Sequence, residues 1–125
     1  MPKFAYLWDA YSKLFARPPP AKNQKQVGSC VSFGTNTAVA RTLAVQIVHD
    51  DGTAEQFFDS VEEVTYGGSR VEIGGGRIKG DGSVGAWGAE WVVTRGMVAR
   101  QKYDSVDLTT YSESLCREYG KNGVP

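Results

Sequence analysis

The feature that most constrains the fold of this chain is a long apolar run. Residues 30–48, "CVSFGTNTAVARTLAVQIV", contain a single charged side chain, Arg41. The spacing of the apolar residues predicts a helix of about five turns that starts at Ser29. The following "HDDG" ends it, and we expect Gly52 to adopt the left-handed cap. Because a surface helix shows a polar face, a helix this apolar is expected to be packed on most of its circumference.

The segments before this helix and after it indicate short helices and loops. Residues 4–15 are expected to form an amphipathic helix or a turn-rich anchor, and "RPPPAKNQK" then forces an extended connection. A short helix is predicted near residues 59–66, broken by Gly67 and Gly68, and the glycine-dense loop "IGGGRIKGDGSVGAWG" follows it.

Two more helices are expected towards the end of the chain. The first covers roughly residues 83–95, with Ser83 as its cap and Gly96 as its end. One face of this helix carries Val84, Trp87, Trp91 and Val92, and of these we expect Trp87 and Trp91 in the core. The second, in "SESLCREYG", has Ser112 as its cap and Gly120 as its end. Residues 1–22 are thus an anchor and a proline-rich connection, and residues 23–125 a mainly helical lobe.

Composition excludes several classes of function. The 125 residues suit one domain, and 14 basic residues balance 14 acidic ones, so we expect no nucleic-acid partner. No apolar run approaches the length of about 18 residues that a membrane helix needs, and no signal peptide is evident. Two cysteines do not make a disulfide framework, so both are expected to be free thiols in an intracellular protein. With one histidine and no Cys/His cluster, neither a metal nor a cofactor is predicted.

The stretch 24–33, "QKQVGSCVSF", is the strongest candidate site. Cys30 would lie in the first turn of the long helix, where unpaired N–H groups and the helix dipole favour a thiolate. Gly28 would let a substrate approach the backbone, and the Cys30 N–H with the Gln24 side chain could hold an oxyanion. The alternative is that Cys30 is a small buried thiol that only opens the helix.

These residues resemble the papain-like cysteine peptidases, whose nucleophile follows a short Gly-Ser/Ala pair. The resemblance implies that Cys30 is the nucleophile and Gln24 the oxyanion-hole residue. It also implies that the later "GDGSVGAWGAEWVVTRGMV" is a substrate-binding strip followed by a helix. The residues that it places in contact with a peptide substrate are Gly28, Ser29, Gly82 and Ser83. Val27 stands where the family has a half-cystine, and Val31 where it has an aromatic residue.

The family's catalytic histidine and asparagine have no counterpart here, because they follow the cysteine by about 130–150 residues. His49 lies 19 residues beyond Cys30 on the same predicted helix, which puts it roughly 28 Å away, too far for a base. The chain is therefore expected to be the helical lobe of an α+β papain-like fold, without its β lobe. Four explanations stay open: a truncated sequence, a proteolytic fragment, a split enzyme completed by a second chain, or a non-catalytic relic used in binding or assembly.

The absent lobe leads to two expectations about surroundings. An apolar helix face along Val39 and Leu43 would be exposed and would promote homo-oligomers. The compartment would be cytoplasmic, or the protein viral. Weaker features are given ordinary roles: Cys116 is expected to be half-buried, Asp50 and Asp51 to form a solvated turn, and "GGGRIKGDG" to be a flexible loop, since it lacks the phosphate-loop pattern.

Overall fold

A computed structural model of the chain describes residues 8–125, which are mainly helical and contain no β-strand. A 3-10 turn covers Ala54–Gln56, and a π-helical turn, Gly68–Ile73, continues the third helix. Two isolated antiparallel bridges join Ser60 to Ala99 and Lys102 to Asp107. The α-helices in this part of the chain are α1 (Asp9–Phe15), α2 (Cys30–His49), α3 (Glu62–Gly67), α4 (Gly85–Arg95) and α5 (Glu113–Asn122).

Helix α2 has the length and the start that the sequence predicts, but its end differs. The left-handed residue is Asp51, with φ of 54°, and not Gly52. The Asp51 N–H donates to the Val48 carbonyl at 3.2 Å, and the Gly52 N–H donates to the Ile47 carbonyl at 2.8 Å. This is the Schellman pattern, which an aspartate tolerates better than most residues. Gly52 is needed for space, since a Cβ there would lie 2.9 Å from the Ile47 methyl carbon.

The expectation that α2 is packed on most of its circumference holds only in part within residues 8–125. Of its 20 residues, nine are half-buried, seven are exposed and four are buried, namely Ser32, Asn36, Ala44 and Ile47. We call the opposite, exposed side the open face, and it consists of Cys30, Gly34, Ala38, Thr42 and Val45. Neighbouring elements cover the helix from one side and leave its first residue accessible.

Val39 and Leu43 are half-buried and do not belong to the open face. They continue the same side of the helix as Val31 and Thr35, at four-residue spacing. A Cβ on Gly88 of α4 would lie 3.2 Å from the Val31 side chain and 3.0 Å from that of Thr35. The predicted apolar surface at Val39 and Leu43 is therefore partly covered on the α4 side, and the exposed apolar residue of α2 is Val45.

Three apolar clusters hold the helices together. The largest joins α3, α4 and α5 through Val61, Val64, Trp91, Leu108 and Tyr119. The second packs α1 onto the last turns of α2, and the third contains Val27, Tyr66 and Cys116. Of the residues predicted for one face of α4, Trp91 is in the core as expected. Trp87 and Val92 are only half-buried, and Val84 is exposed.

Glycines at helix crossings explain two wrong predictions. Gly67 and Gly68 do not break the helix, which continues to Ile73. A Cβ added to Gly67 would lie 2.7 Å from the Cβ of Tyr119, and one added to Gly68 would lie 2.2 Å from the Trp91 ring. Gly120 likewise lies inside α5, which ends two residues later at Asn122. These glycines allow helices to pack closely, and the left-handed residue after α5 is Gly123, with φ of 90°.

The predicted helix caps have mixed outcomes. Ser112 caps α5 as expected, because its hydroxyl accepts a hydrogen bond from the Leu115 N–H at 3.2 Å. Gly96 ends α4 with φ of 85°, also as expected. Ser83 does not cap α4, because the N-cap residue is Val84. The Ser83 hydroxyl is instead hydrogen-bonded to the Ser69 hydroxyl at 2.8 Å.

A buried charge network joins α3 to the extended segments on either side. Arg100 contacts both carboxylate oxygens of Glu63, at 3.0 and 2.5 Å, and one of Glu62 at 2.5 Å. Lys22, in the proline-rich connection, donates to Glu62 at 2.7 Å and to Asp59 at 3.2 Å. Desolvation alone would lower the pKa of Lys22, but its bond to Glu62 and that carboxylate's charge leave the pKa raised. The network fixes the connection two residues before Gln24.

Both cysteines are free, and no disulfide forms. Cys116 is fully buried, not half-buried as expected, because it belongs to the cluster with Val27 and Tyr66. In the described residues, no helix combines the length and the apolar character that crossing a membrane requires.

Candidate functional site

Cys30 is the first residue of α2, and its side chain is exposed. As the first helical residue, its N–H has no acceptor within the helix, so it can bind an oxygen outside it. The positive end of the helix dipole lies at the same place. Cys30 is therefore an accessible thiol at a helix N-terminus, as predicted, and not a buried structural one.

Gln24 lies in the loop that leads into α2, and its side chain is partly engaged. Its Nε2 donates to the Val27 carbonyl at 3.0 Å, which folds the side chain back along the loop towards the start of α2. A primary amide nitrogen carries two protons, so one remains for a further acceptor. The second N–H of the Gln24 amide is thus the one that would bind the oxyanion under the sequence-based prediction.

Ser29 is fully buried and points away from any substrate. Its hydroxyl lies 3.3 Å from the Tyr111 hydroxyl, which in turn donates to the Gln24 carbonyl at 3.0 Å. The Cys116 thiol packs against both hydroxyls, and burial raises its pKa to about 11. Ser29 can therefore contribute to substrate binding only through its backbone, while Tyr111 anchors both ends of the loop from Gln24 to Ser29.

Gly28 touches the glycine-dense loop 53 residues further along the chain. Its N–H donates to the Asp81 carboxylate at 3.0 Å. A Cβ on Gly28 would lie 2.8 Å from the Asp81 Cβ and 3.5 Å from the Gly82 nitrogen, so only glycine permits this approach. Arg117 of α5 binds Asp81 at 3.2 Å and the Gln26 carbonyl at 3.0 Å. The structure thereby brings together two of the predicted substrate-binding residues, Gly28 and Gly82. In the sequence, Gly28 is two residues before the nucleophile.

Gly82 and Ser83 differ in what they can offer a substrate. The Gly82 N–H donates to the Tyr66 hydroxyl at 3.2 Å, and its carbonyl accepts from Arg70 at 2.7 Å. The backbone N–H and carbonyl of Ser83 have no partner among the described residues. A peptide that pairs with this strip by main-chain hydrogen bonds would therefore find the free groups on Ser83.

His49 is at the other end of α2, which is continuous from Cys30. Its imidazole is exposed and lies 3.3 Å from the Asp50 carboxylate. The expectation that His49 cannot serve Cys30 as a base is confirmed. Within the described residues there is also no group of three His, Cys, Asp or Glu side chains with the geometry for a metal ion.

A mostly apolar groove of about 700 Å³ lies beside Gln24. The proline-rich connection forms one wall with Pro19 and Pro20, and α2 forms the other with Phe33, Thr37 and Arg41. The Arg41 guanidinium has no ion-pair or hydrogen-bond partner in residues 8–125. The groove follows the same helix as the nucleophile, and two residues of the open face, Gly34 and Ala38, also line it.

Several residues that shape the site were not predicted from the sequence. Asp81 lies inside the predicted substrate-binding stretch "GDGSVGAWGAEWVVTRGMV", and an acid between two glycines is a usable signal for a loop contact. Tyr111, Arg70 and Tyr66 carry no such signal, because they reach Gln24 and Gly82 across 12 to 87 residues. Only the three-dimensional structure relates them to Cys30.

No protein-family model, curated protein or solved structure matches this chain. The function must therefore be argued from the site itself.

Proposed function

We propose that this chain is the nucleophile-bearing helical lobe of a papain-like cysteine peptidase. The observation that carries the proposal is the contact of Gly28 with Asp81 and Gly82, beside an exposed Cys30 at the start of a long helix. A peptidase of this kind needs a nucleophile at a helix N-terminus and a strip of backbone that aligns the peptide next to it. Cys30 opens α2, and the loop before it contacts the glycine-dense loop, which supports this assignment.

The chemistry assigns one task to each group. The Cys30 thiolate attacks the peptide carbonyl carbon, a C–S bond forms, and the carbonyl oxygen becomes an oxyanion. The Cys30 N–H and the second Gln24 N–H hold that oxyanion. Collapse of the intermediate expels the amine, which must take a proton from an acid, and water then hydrolyses the thioester.

The acid and base must come from outside the described residues. A second chain or a further lobe would supply a histidine, oriented by an asparagine as the family resemblance implies. We place its docking surface on the open face of α2, because Cys30 is the first residue of that face. The small residues Gly34 and Ala38 follow it one and two turns later. A partner that covers these positions comes within reach of the thiol.

The test is the pH dependence of alkylation at Cys30, read by peptide mass spectrometry on protein purified with its bound partners. A synthetic peptide of residues 24–33 is the control, since it has the same local sequence without the fold. Cys116 is unsuitable as a control because it is buried. Reactivity that persists well below pH 6 would mark a thiolate next to an imidazolium. A profile that coincides with that of the peptide, rising only near pH 8, would contradict the peptidase proposal.

The groove beside Gln24 favours a second candidate function. An apolar groove of about 700 Å³ is large enough for a ligand or a partner segment. In this alternative the chain is a non-catalytic papain-like module that serves in binding or assembly. A Cys30→Ala substitution separates the two, because it abolishes peptidase activity but leaves binding in the groove unchanged.

A further inference from the structure

The strip next to the nucleophile has almost no backbone support of its own. The strip, residues 78–83, takes part in no backbone–backbone hydrogen bond, and Gly82 has φ of 109°. A segment of this kind would normally be mobile, because no backbone bond offsets the entropy of ordering it. Yet Gly28 requires the strip at a fixed place, since its N–H is bonded to Asp81. Arg117 binds the Asp81 side chain and Ser69 binds the Ser83 side chain, but one further group binds the backbone of the strip.

That group is the guanidinium of Arg70, in the π-helical turn after α3. Arg70 is only 8% exposed, and no carboxylate pairs with it in the described part of the chain. Its N–H groups are directed at oxygen atoms of the strip and of α5. The acceptors are the carbonyls of Ile78 at 3.2 Å, Gly80 at 2.6 Å, Gly82 at 2.7 Å and Gly120 at 2.9 Å, and the Tyr66 hydroxyl at 3.1 Å.

A buried arginine without a carboxylate is unusual, because a buried charge normally needs an opposite one. Here four carbonyl dipoles take that place, and three of them belong to the strip, which has no backbone–backbone hydrogen bond of its own. Only the planar fork of arginine offers enough donors for such a set; lysine has three donors on one atom. Gly120 allows the approach, since a Cβ there would lie 2.5 Å from the Tyr66 ring and 3.3 Å from the Arg70 Nε.

We propose that Arg70 and Tyr66 are positioning residues for the substrate strip. Together they occupy both polar backbone groups of Gly82, the N–H through the Tyr66 hydroxyl and the carbonyl through Arg70. Gly82 is thereby locked, and a peptide beside it can pair with the free backbone groups of the next residue, Ser83. Arg70 touches neither substrate nor thiol, and acts through the strip and Gly28. The inference rests on the proposed peptidase function.

The test compares two alkylating reagents on Cys30. Iodoacetamide is small, whereas a tripeptidyl chloromethyl ketone has a peptide that can lie along the strip. In both reactions the sulfur forms a thioether with the reagent's methylene carbon and expels halide, so both report the same thiolate. The ratio of the two rates isolates the contribution of the peptide. Arg70→Lys and Tyr66→Phe are the test variants.

Arg77→Lys is the matched control. Arg77 also bonds a glycine carbonyl, that of Gly74 at 2.6 Å, and lies over the Trp87 ring, but it holds no part of the strip beside Gly28. We expect the rate ratio to fall about tenfold in Arg70→Lys and about threefold in Tyr66→Phe, the range for losing one or two hydrogen bonds. In Arg77→Lys the ratio stays as in the wild type, and iodoacetamide rates are equal in all four proteins.

The outcomes separate this inference from the function on which it rests. If the peptide of the reagent does not raise the alkylation rate of Cys30 in the wild type, the proposed function is overturned, and this inference with it. If the peptide raises that rate equally in the wild type and in both folded variants, the inference alone is overturned. An iodoacetamide rate that falls together with the peptide rate would also overturn the inference alone, since that means general damage to the site. If Arg70→Lys does not fold, Tyr66→Phe decides, with faster amide exchange at Gly82 as its independent readout.

Discussion

Removing Arg100 should be one of the most damaging single changes in the chain. Its side chain is 12% exposed, and the carboxylates it binds belong to Glu62 and Glu63, whose side chains are 2% and 0% exposed. Removal of one partner from a buried ion pair leaves an uncompensated charge and costs about 3–5 kcal/mol. Glu62 keeps Lys22, and Glu63 keeps the Ser112 N–H at 3.1 Å. We therefore expect the lower end, about 3 kcal/mol for Arg100→Met.

Urea unfolding followed by tryptophan fluorescence and far-ultraviolet circular dichroism measures this loss. With a slope of about 1.5 kcal/mol per M, a loss of about 3 kcal/mol lowers the midpoint by about 2 M. Arg41→Met is the control, because Arg41 has no ion pair in residues 8–125, and its free energy of unfolding should change by less than about 0.5 kcal/mol.

A double-mutant cycle makes the attribution specific to the ion pair. Glu63→Gln alone should also destabilise, and the double variant should be at least about 1 kcal/mol better than the sum of the two. The reasoning is refuted if Arg100→Met unfolds within about 1 kcal/mol of the wild type, or if the two substitutions are additive.

Three further predictions concern the packing of α5. Cys116 should resist alkylation until the protein unfolds. Because burial raises the pKa of its thiol from 9.0 to about 11, its contribution to the free energy of unfolding is fully present below pH 9 and falls by about 2–3 kcal/mol as the pH rises to 11. Urea titrations of the wild type and of Cys116→Ala at both pH values measure this loss, which the variant should not show. Gly120→Ala should cost about 1–3 kcal/mol, since its Cβ would lie 2.5 Å from the Tyr66 ring; a melting temperature equal to the wild type's would count against this. Ser112→Ala should cost about 1 kcal/mol through loss of the cap on Leu115, measured by thermal unfolding, with the exposed Ser105→Ala as control.

The elements that sequence predicted well are those whose signals are local. The start of α2 after Ser29, the Ser112 cap and the end of α4 at Gly96 each depend on a few adjacent residues, and all are confirmed. Several of the wrong predictions involve glycines. In an isolated segment, glycine favours a break because it destabilises a helix by about 1 kcal/mol. At Gly67 and Gly68, contact with α5 and α4 outweighs that preference, and no local pattern shows which helix will cross there.

The candidate site divides in the same way. Cys30, Gln24 and Gly28 lie within seven residues, so one short motif predicts them together. The residues that hold the site in place are not part of this motif. Arg70 binds Gly82 from 12 residues away, and Tyr111 binds Gln24 from 87 residues away. Buried charges are the least predictable, since Glu62 and Glu63 look like an ordinary exposed pair until Arg100 is found 37 and 38 residues away.

Two features of α2 that look separate have one explanation under the proposed function. The helix is more apolar than its described neighbours can bury, with Val45 at 42% exposure. Its first residue, Cys30, has a nucleophile's position, and in residues 8–125 no base is hydrogen-bonded to its thiol. Both Cys30 and Val45 lie on the open face, so a single partner that covers this face would bury the apolar residues and bring a histidine to the thiol. The hydrophobic burial at Gly34, Ala38 and Val45 would then stabilise the complex in which catalysis becomes possible. Charged substitutions at Ala38, two turns from the thiol, should therefore abolish low-pH reactivity of Cys30 without unfolding the chain.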